Sequence, residues 1–517
     1  MARESVDLLV VGGGVNGCGI ARDAAGRGYS VVLAEMGDLA SGTSSTSSKL
    51  IHGGLRYLEH HEFRLVREAL REREVLLHIA PQVIRPARFV IPVRKGMRPA
   101  WLIRLGLFLY DTIGGRSTLG RCRSVSLRES PAGRPLKADL VRGFEYSDCY
   151  TDDARLVVLN AMDAALRGAR IMTRTRFLCA EADAGQWLAT LEDVETGETR
   201  AVRARMIINA AGPWAGTVRD LAGVANSPER LRLVKGSHIV IRRKYEGRQA
   251  YVFQNLDRRI VFAIPFEDDF TLIGTTDEDF SGDPHEAGIS DGEIRYLCET
   301  ASAYFSRPVV PSDIVWSFAG VRPLYDDGSS RAQDATRDYV LKVERHRAAP
   351  LLNVFGGKIT TYRRLAEAAL DLVGGEIGSR GEAWTAAAPL PGGDFPAVRR
   401  EVLVASLGEE FPFLSPSHAR RLVRQYGTLA QDVLGNARQI EDLGRHFGAS
   451  LYECELRYLA AREWARTADD VLWRRTKLGL RLDAREQAEV ACFMESLRAD
   501  SRESPAGAAR RTRARHP

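Results

Sequence analysis

Apolar and polar positions along the chain mark out its elements before any chemistry is considered. Asp7-Leu8-Leu9-Val10-Val11 is a short, nearly continuous apolar run stopped by Gly12-Gly13-Gly14, the pattern of a strand buried on both faces. Cys18 to Arg27 has helix-forming composition, and Ser30 to Ala34 predicts a second strand ending at Glu35. Residues 64–77 form a charged amphipathic helix with Leu65, Ala69, Val75 and Leu76 among its apolar positions. Its many Arg and Glu residues read as a solvated face with i,i+4 pairs such as Arg64–Glu68. Residues 99–113 are strongly apolar with one interior charge, Arg104. Two readings stand there: a buried core helix, or an interfacial segment carrying Trp101, Phe108 and Tyr110 toward lipid between basic flanks. Residues 170–208 alternate like a β-meander and run into Asn209-Ala210-Ala211-Gly212. Residues 231–280 and 314–324 alternate like antiparallel strands. Pro350 to Thr361 gives another strand and glycine turn, opening a helix from Tyr362 to Leu372. Past about residue 385 the pattern turns almost wholly helical, and the last residues read as a disordered basic tail.

Composition changes this picture little. With 44% hydrophobic and 27% charged residues, the 517-residue chain has material for two to four globular domains. The net charge is +6, but the last 17 residues carry +4 of it, so the body is too weakly basic for a nucleic-acid-binding surface. Seven scattered cysteines without C-x-x-C spacing argue against a disulfide scaffold or a metal knuckle and fit a reducing compartment. The first apolar run is too short for a signal sequence, and no stretch of about 18 apolar residues occurs. The expectation is a protein that is soluble or held only at a membrane surface.

The candidate chemistry begins at the first turn. Gly12, Gly14 and Gly17 follow a strand and open a helix, and Glu35 ends the next strand, as a dinucleotide-binding unit requires. Gly12 permits the tight turn, Gly14 lets the backbone approach a pyrophosphate, and Gly17 lets the helix pack closely. Glu35 can accept hydrogen bonds from a ribose. This unit alone suits NAD or FAD. The following Ser41 to Ser48 stretch reads either as a flexible linker or as hydroxyls lining a phosphate or a flavin edge.

Longer motifs separate the two cofactors. The run TSSTSSKLIHGGLRYLEHHEFRLVREALREREVL, then GFEYSDCYTDDARLV, KGSHIVI, IGTTD, GVRPL, TRDY and FGGKITTYRRLAE together resemble the respiratory FAD-dependent sn-glycerol-3-phosphate dehydrogenases, in order from about residue 6 to 393. The resemblance implies the glycine-oxidase or D-amino-acid-oxidase type of fold. That is an α/β FAD-binding Rossmann-like domain, an antiparallel β-sheet substrate (cap) domain and a C-terminal all-helical domain. The expected boundaries are 1–90, 145–215 and 345–385 for the FAD-binding part and 91–144 with 216–344 for the cap. The helical domain is expected at 390–498 and the tail at 499–517. The resemblance also implies oxidation of sn-glycerol 3-phosphate to dihydroxyacetone phosphate and electron delivery to ubiquinone or menaquinone. It further implies peripheral attachment to the inner face of the cell membrane, from the cytoplasmic side, and a homodimer; no metal is expected.

Residue by residue, the resemblance marks Arg56, Arg322 and Arg337 as substrate or phosphate contacts. Arg is the fitting cation because its fork grips phosphate bidentately. Lys358, after Gly356-Gly357, can lie against the flavin pyrimidine edge and the substrate. His238 is the candidate general base, since imidazole titrates near working pH. Thr275 and Thr276 are candidate substrate donors. Beyond the fingerprint, Ser44, Ser45, Ser48, Lys49, Gly53, Ala211, Gly212, Gly357 and Thr360 are candidate flavin neighbours. Two other readings compete: an oxidase passing electrons to oxygen, and a flavin-binding module without turnover. The first is disfavoured by the lack of a long polar insertion in the cap region, the second by the retained Arg56, His238, Arg322, Arg337 and Lys358.

Overall fold

The computed structural model describes residues 4–94, 96–224, 231–257, 259–326 and 338–503, and Arg337 therefore lies outside the described residues. The chain divides into two compact units, Met1–Ala397 and Val398–Pro517.

In the first unit the strand Glu4–Val11 pairs in parallel with Val31–Ala34 on one side and Thr199–Asn209 on the other. Both its neighbours and both its faces are occupied, which is why Leu8, Leu9 and Val10 are all apolar. Beyond these lie Arg170–Met172 at one edge and, at the other, Ala349–Gly356 followed by the antiparallel Tyr339–His346. Helices Val15–Gly26, Asp153–Leu166 and Tyr362–Ile377 pack side by side. A Cβ at Gly19 would meet the Tyr362 ring at 2.7 Å, so that glycine sets how closely the first and third of these helices approach. A second set of core residues, Val6, Leu9 and Val11, packs with Trp187, Ala189 and Leu191 of the Thr175–Asp193 hairpin.

A second, ten-stranded sheet is built largely from antiparallel pairs, including Ile84–Pro92 with Arg142–Thr151 and Leu231–Arg242 with Phe270–Gly274 and Ile314–Tyr325. The expected boundaries at 90 and 145 fall inside two of these strands, both members of this second sheet. Helix Asp291–Ser302 lies against it, sealing a core of Tyr251, Phe253, Leu297, Tyr304 and Phe305. That helix begins in a reciprocal capping box between Ser290 and Glu293.

Helix Phe63–Ile79 departs from its expected solvated face. Glu72 and Arg73 are buried: Arg363 donates to Glu72 at 2.6 Å, and Arg73 donates to Asp148 at 2.8 Å. Arg64 reaches Asp338 at 2.6 Å rather than Glu68. The partners lie far away in sequence, where helical spacing carries no information about them. Helix Ala100–Ile113 is two-faced, burying Ile103, Leu107 and Tyr110 while Trp101 stands 67% and Phe108 63% exposed. It is therefore not a core helix.

The second unit is helical, with Leu422, Val423, Leu456, Leu459, Val471 and Val490 in its core. Its buried Arg421–Glu455 pair, closed at 2.7 Å, is completed by the Tyr426 hydroxyl donating to the same carboxylate. Among the described residues no helix is long and apolar enough to cross a membrane.

Candidate active site

The parallel strands of the first sheet end together, and their turns wall a cavity of about 940 Å³. Glu4–Val11 leads to Gly12, Val31–Ala34 to Glu35, Thr199–Asn209 to Ala211-Gly212, and Ala349–Gly356 to Gly357-Lys358. A crevice at the carboxyl ends of such strands is where open α/β sheets bind ligands.

The first turn has the geometry a pyrophosphate needs. Gly12 has φ +116°, and a Cβ there would lie 2.4 Å from the Ala210 carbonyl oxygen. A Cβ at Gly17 would lie 1.9 Å from the Gly12 oxygen, so any side chain would push the helix off the turn. The 12-residue helix behind Gly14 points the positive end of its dipole at the crevice. Asn16 Oδ1, on the cavity wall, is buried without a hydrogen-bond partner among the described residues. Glu35 accepts from the Gly13 N–H at 2.6 Å and the Gly37 N–H at 2.8 Å. Burial pushes its carboxyl above the usual range, and those two N–H groups oppose the rise.

The Ser/Thr stretch is built structure rather than linker. Thr43 donates to the Val321 carbonyl at 2.5 Å, Ser44 Oγ accepts from the Val15 N–H at 3.0 Å, and Ser47 donates to Asp153 at 2.8 Å. Strand Ile314–Tyr325 lies so close that a Cβ at Gly320 would meet Thr46 Oγ1 at 1.9 Å. That strand delivers Arg322 to the wall, where it ion-pairs with Asp277 and donates to Thr275 Oγ1 at 3.0 Å. Arg56 and Lys358 line the same cavity, and the Lys358 ammonium sits 3.7 Å above the Tyr57 ring. Three cations thus share one wall system with the glycine turn.

A model of the FAD dependent oxidoreductase family matches residues 7–363, more than half of the chain. The chain belongs to this family. Residues 383–497 match the C-terminal domain of alpha-glycerophosphate oxidase. An aerobic glycerol-3-phosphate dehydrogenase of Escherichia coli is 50% identical over 95% of this chain and 97% of its own. A D-erythritol 1-phosphate dehydrogenase of Brucella abortus is likewise 50% identical over 95% of this chain and 97% of its own. The solved glycerol-3-phosphate dehydrogenase of Bacillus halodurans, complexed with FAD, is similar at TM-score 0.77 and 26% identity. That match covers 99% of this chain and 94% of that one. The cofactor is FAD.

The residues present fit it. Gly12, Gly14, Glu35, Ser44, Ser48, Ala211, Gly212, Gly357 and Thr360 all line the cavity, as do Arg56, Thr275, Arg322 and Lys358. Six expected residues stand back from it. Gly17 acts through Gly12, as above. Ser45 accepts, through its carbonyl, the Lys49 ammonium at 2.8 Å, and that ammonium is bound to buried Asp153 at 2.8 Å. Gly53 is pinned through its N–H, which donates to the Tyr110 hydroxyl at 2.8 Å. Thr276 donates to Glu293 at 2.7 Å and accepts from the Ser237 N–H at 2.9 Å.

His238 is the sixth. It is 1% exposed and stacked on Phe318, with Nε2 3.0 Å from the Ser48 hydroxyl, and it is Ser48 that reaches the cavity. Burial above all, then the charges of Arg322 and Lys49, hold its pKa well below the usual imidazole range, so the ring is neutral. The histidines on the wall are instead His52, His61 and His285, and the backbone N–H of His52 donates to Thr360 Oγ1 at 3.2 Å. Sequence reading passed over His52, although it directly precedes Gly53-Gly54 in the motif that supplied Arg56. Asn16, Thr46, Tyr57, Gln254 and Asp277 are further wall residues that spacing alone did not single out.

Proposed function

We propose that the chain oxidises sn-glycerol 3-phosphate to dihydroxyacetone phosphate. The observation that carries this reading is the Arg322 fork, held by Asp277 and Thr275 on a wall shared with Arg56 and Lys358. A dianionic phosphate needs permanent cations whose geometry is set beforehand, and a guanidinium already held by its neighbours loses little entropy when it grips one. Bound FAD supplies the hydride acceptor at N5. Arg322 and Arg56, with Arg337, hold the phosphate. Thr275 orients the Arg322 fork. His52 takes the proton from the hydroxyl being oxidised, and Ser48, held by neutral His238, orients the same end of the substrate. Lys358 offers its charge to the ring edge where negative charge accumulates.

The family resemblance completes the reading. Electrons pass to ubiquinone or menaquinone, and the enzyme works as a homodimer attached peripherally to the cytoplasmic face of the cell membrane. Exposed Trp101 and Phe108 on the two-faced helix support that attachment.

A second substrate follows from a specific observation: the Brucella abortus relative, equally similar, is named for D-erythritol 1-phosphate. Both names describe a phosphorylated polyol. Steady-state kinetics with sn-glycerol 3-phosphate, D-erythritol 1-phosphate and glycerol decide between them. The proposal expects the highest kcat/KM for glycerol 3-phosphate and almost no turnover of glycerol. A higher kcat/KM for the erythritol ester would replace the first reading with the second, and equal use of glycerol would end both.

A further inference from the structure

His52 is half-buried, whereas the two other histidines on the wall, His61 and His285, are exposed. The segment that carries it is held in an unusual way. Strand Leu50–Ile51 pairs antiparallel with Arg142–Thr151, Ile51 opposite Cys149, and the ladder stops one residue short of Asp148. The chain then leaves the sheet, and its next two backbone N–H groups find side chains instead. The His52 N–H donates to Thr360 Oγ1 at 3.2 Å and the Gly53 N–H to the Tyr110 hydroxyl at 2.8 Å. These two groups flank the Cα that bears the imidazole, so the backbone is pinned on both sides of it. Thr360 is 1% and Tyr110 3% exposed. Gly53 makes the second contact possible, because a Cβ there would lie 2.6 Å from the Tyr110 hydroxyl.

Tyr110 is itself anchored. Its hydroxyl donates to the Asp148 carboxylate at 2.7 Å, and Asp148 accepts from Arg73 at 2.8 Å. Arg73 also donates to the Ser147 carbonyl at 2.8 Å. The Tyr146 ring, on the cavity wall, meets the Tyr110 ring edge-on at 5.8 Å. Burial, then the Asp148 charge, push the Tyr110 phenol well above its ordinary value, so it keeps its proton and spends it on Asp148. Its oxygen is left to accept from Gly53. Arg73, Tyr110 and Asp148 come from three different elements and all stand behind the cavity wall. Stability does not call for such a set, since packed apolar groups in place of a buried ion pair are often as stable or more so. We propose that Tyr110, anchored by Asp148 and Arg73, is a positioning residue that fixes the aim of the His52 imidazole at the hydroxyl being oxidised. The inference rests on the assignment of His52 as the base and names what holds it in place.

Tyr110→Phe removes the hydroxyl alone. FAD-loaded enzyme is mixed anaerobically with sn-glycerol 3-phosphate in a stopped-flow spectrometer. The limiting rate of flavin reduction should fall at least about tenfold, while the half-saturating substrate concentration moves less than about twofold, because the phosphate cations are untouched. Asp148→Asn, which keeps the shape but weakens the acceptor behind Tyr110, is a second variant should the first misfold, with the same split expected. In a His52→Asn background Tyr110→Phe should cost less than about twofold more, because the two act through one group. Hydrogen exchange of the peptide spanning residues 50–54, read by mass spectrometry on loaded, substrate-free enzyme, should quicken at least about tenfold in Tyr110→Phe. A rate within about threefold of the parent, a loss shared by the half-saturating concentration, or a full loss repeated in the His52→Asn background would each overturn the proposal. So would unchanged exchange. A normal rate in His52→Asn alone would instead end the base assignment, and the exchange would still report whether Tyr110 pins the turn.

Discussion

Replacing Arg322 with Ala tests the phosphate reading most severely. The guanidinium is 23% exposed and braced by Asp277 and Thr275. A guanidinium can give a phosphate two charge-assisted hydrogen bonds, each contributing about 1.5–3 kcal/mol when well shielded from water. Partial exposure favours the lower bound, so about 3 kcal/mol is lost, roughly 150-fold in kcat/KM. Arg322→Lys keeps the charge but not the fork and should recover less than half of that loss. The substitution also leaves the largely buried Asp277 carboxylate without its cation, which can lower stability by about 3–5 kcal/mol. Arg322→Ala/Asp277→Asn separates the two effects: it should regain thermal stability and stay as poor a catalyst. The assay is steady-state turnover of glycerol 3-phosphate and glycerol with a soluble acceptor, beside melting curves. Loss below fivefold, or an equal loss for glycerol, would refute the phosphate role. Recovery of activity in the double variant would show that folding alone was at stake.

Three further outcomes are expected. His52→Asn should lower kcat at least 100-fold, whereas His238→Asn should cost under tenfold and leave the shape of the kcat/KM pH profile unchanged, because buried His238 is neutral across the working range; loss of a pH limb in the His238 variant would restore it as the base. Lys49→Met should leave the flavin spectrum intact while costing about 3–5 kcal/mol of stability, because it strands buried Asp153; a shifted spectrum with normal melting would contradict this. In the helical unit, burial with the nearby Arg421 charge pushes His418 down to about 4. Unfolded His418 protonates from about pH 6.5 while the folded ring does not. Stability is therefore intact above pH 6.5 and falls by roughly 3 kcal/mol as pH drops to about 4; calorimetry of His418→Asn should show this part of the slope removed.

Much of the site was legible because its signals are local. A strand, a glycine turn, a helix and Glu35 lie within about thirty residues, and the structure joins them as that spacing demands. Arg322 and Lys358 were readable from motifs that sit at strand ends. What failed was pairing over distance. Lys49 looked like a flavin neighbour until Asp153, 104 residues on, claimed its ammonium. His238 looked like a base in KGSH, but its strand is flanked by Phe270–Gly274 and Ile314–Tyr325, and that enclosure sets it behind Ser48. Glu72 and Arg73 looked solvated because their partners, Arg363 and Asp148, belong to other elements. The two-faced helix at 100–113 had the right composition for either reading, and only its packing on the Leu55–His60 turn decided which side faces out.

The central claim is that one cavity holds FAD between the glycine turn and Lys358 and presents a phosphorylated alcohol to it. An anaerobic spectral titration tests it directly: purified protein, its visible flavin band recorded, and sn-glycerol 3-phosphate added stepwise. The account predicts bleaching with one equivalent per flavin, recovery of the band with a quinone analogue, and only slow recovery in air. A yellow protein that stays yellow with sn-glycerol 3-phosphate and with D-erythritol 1-phosphate alike would contradict it.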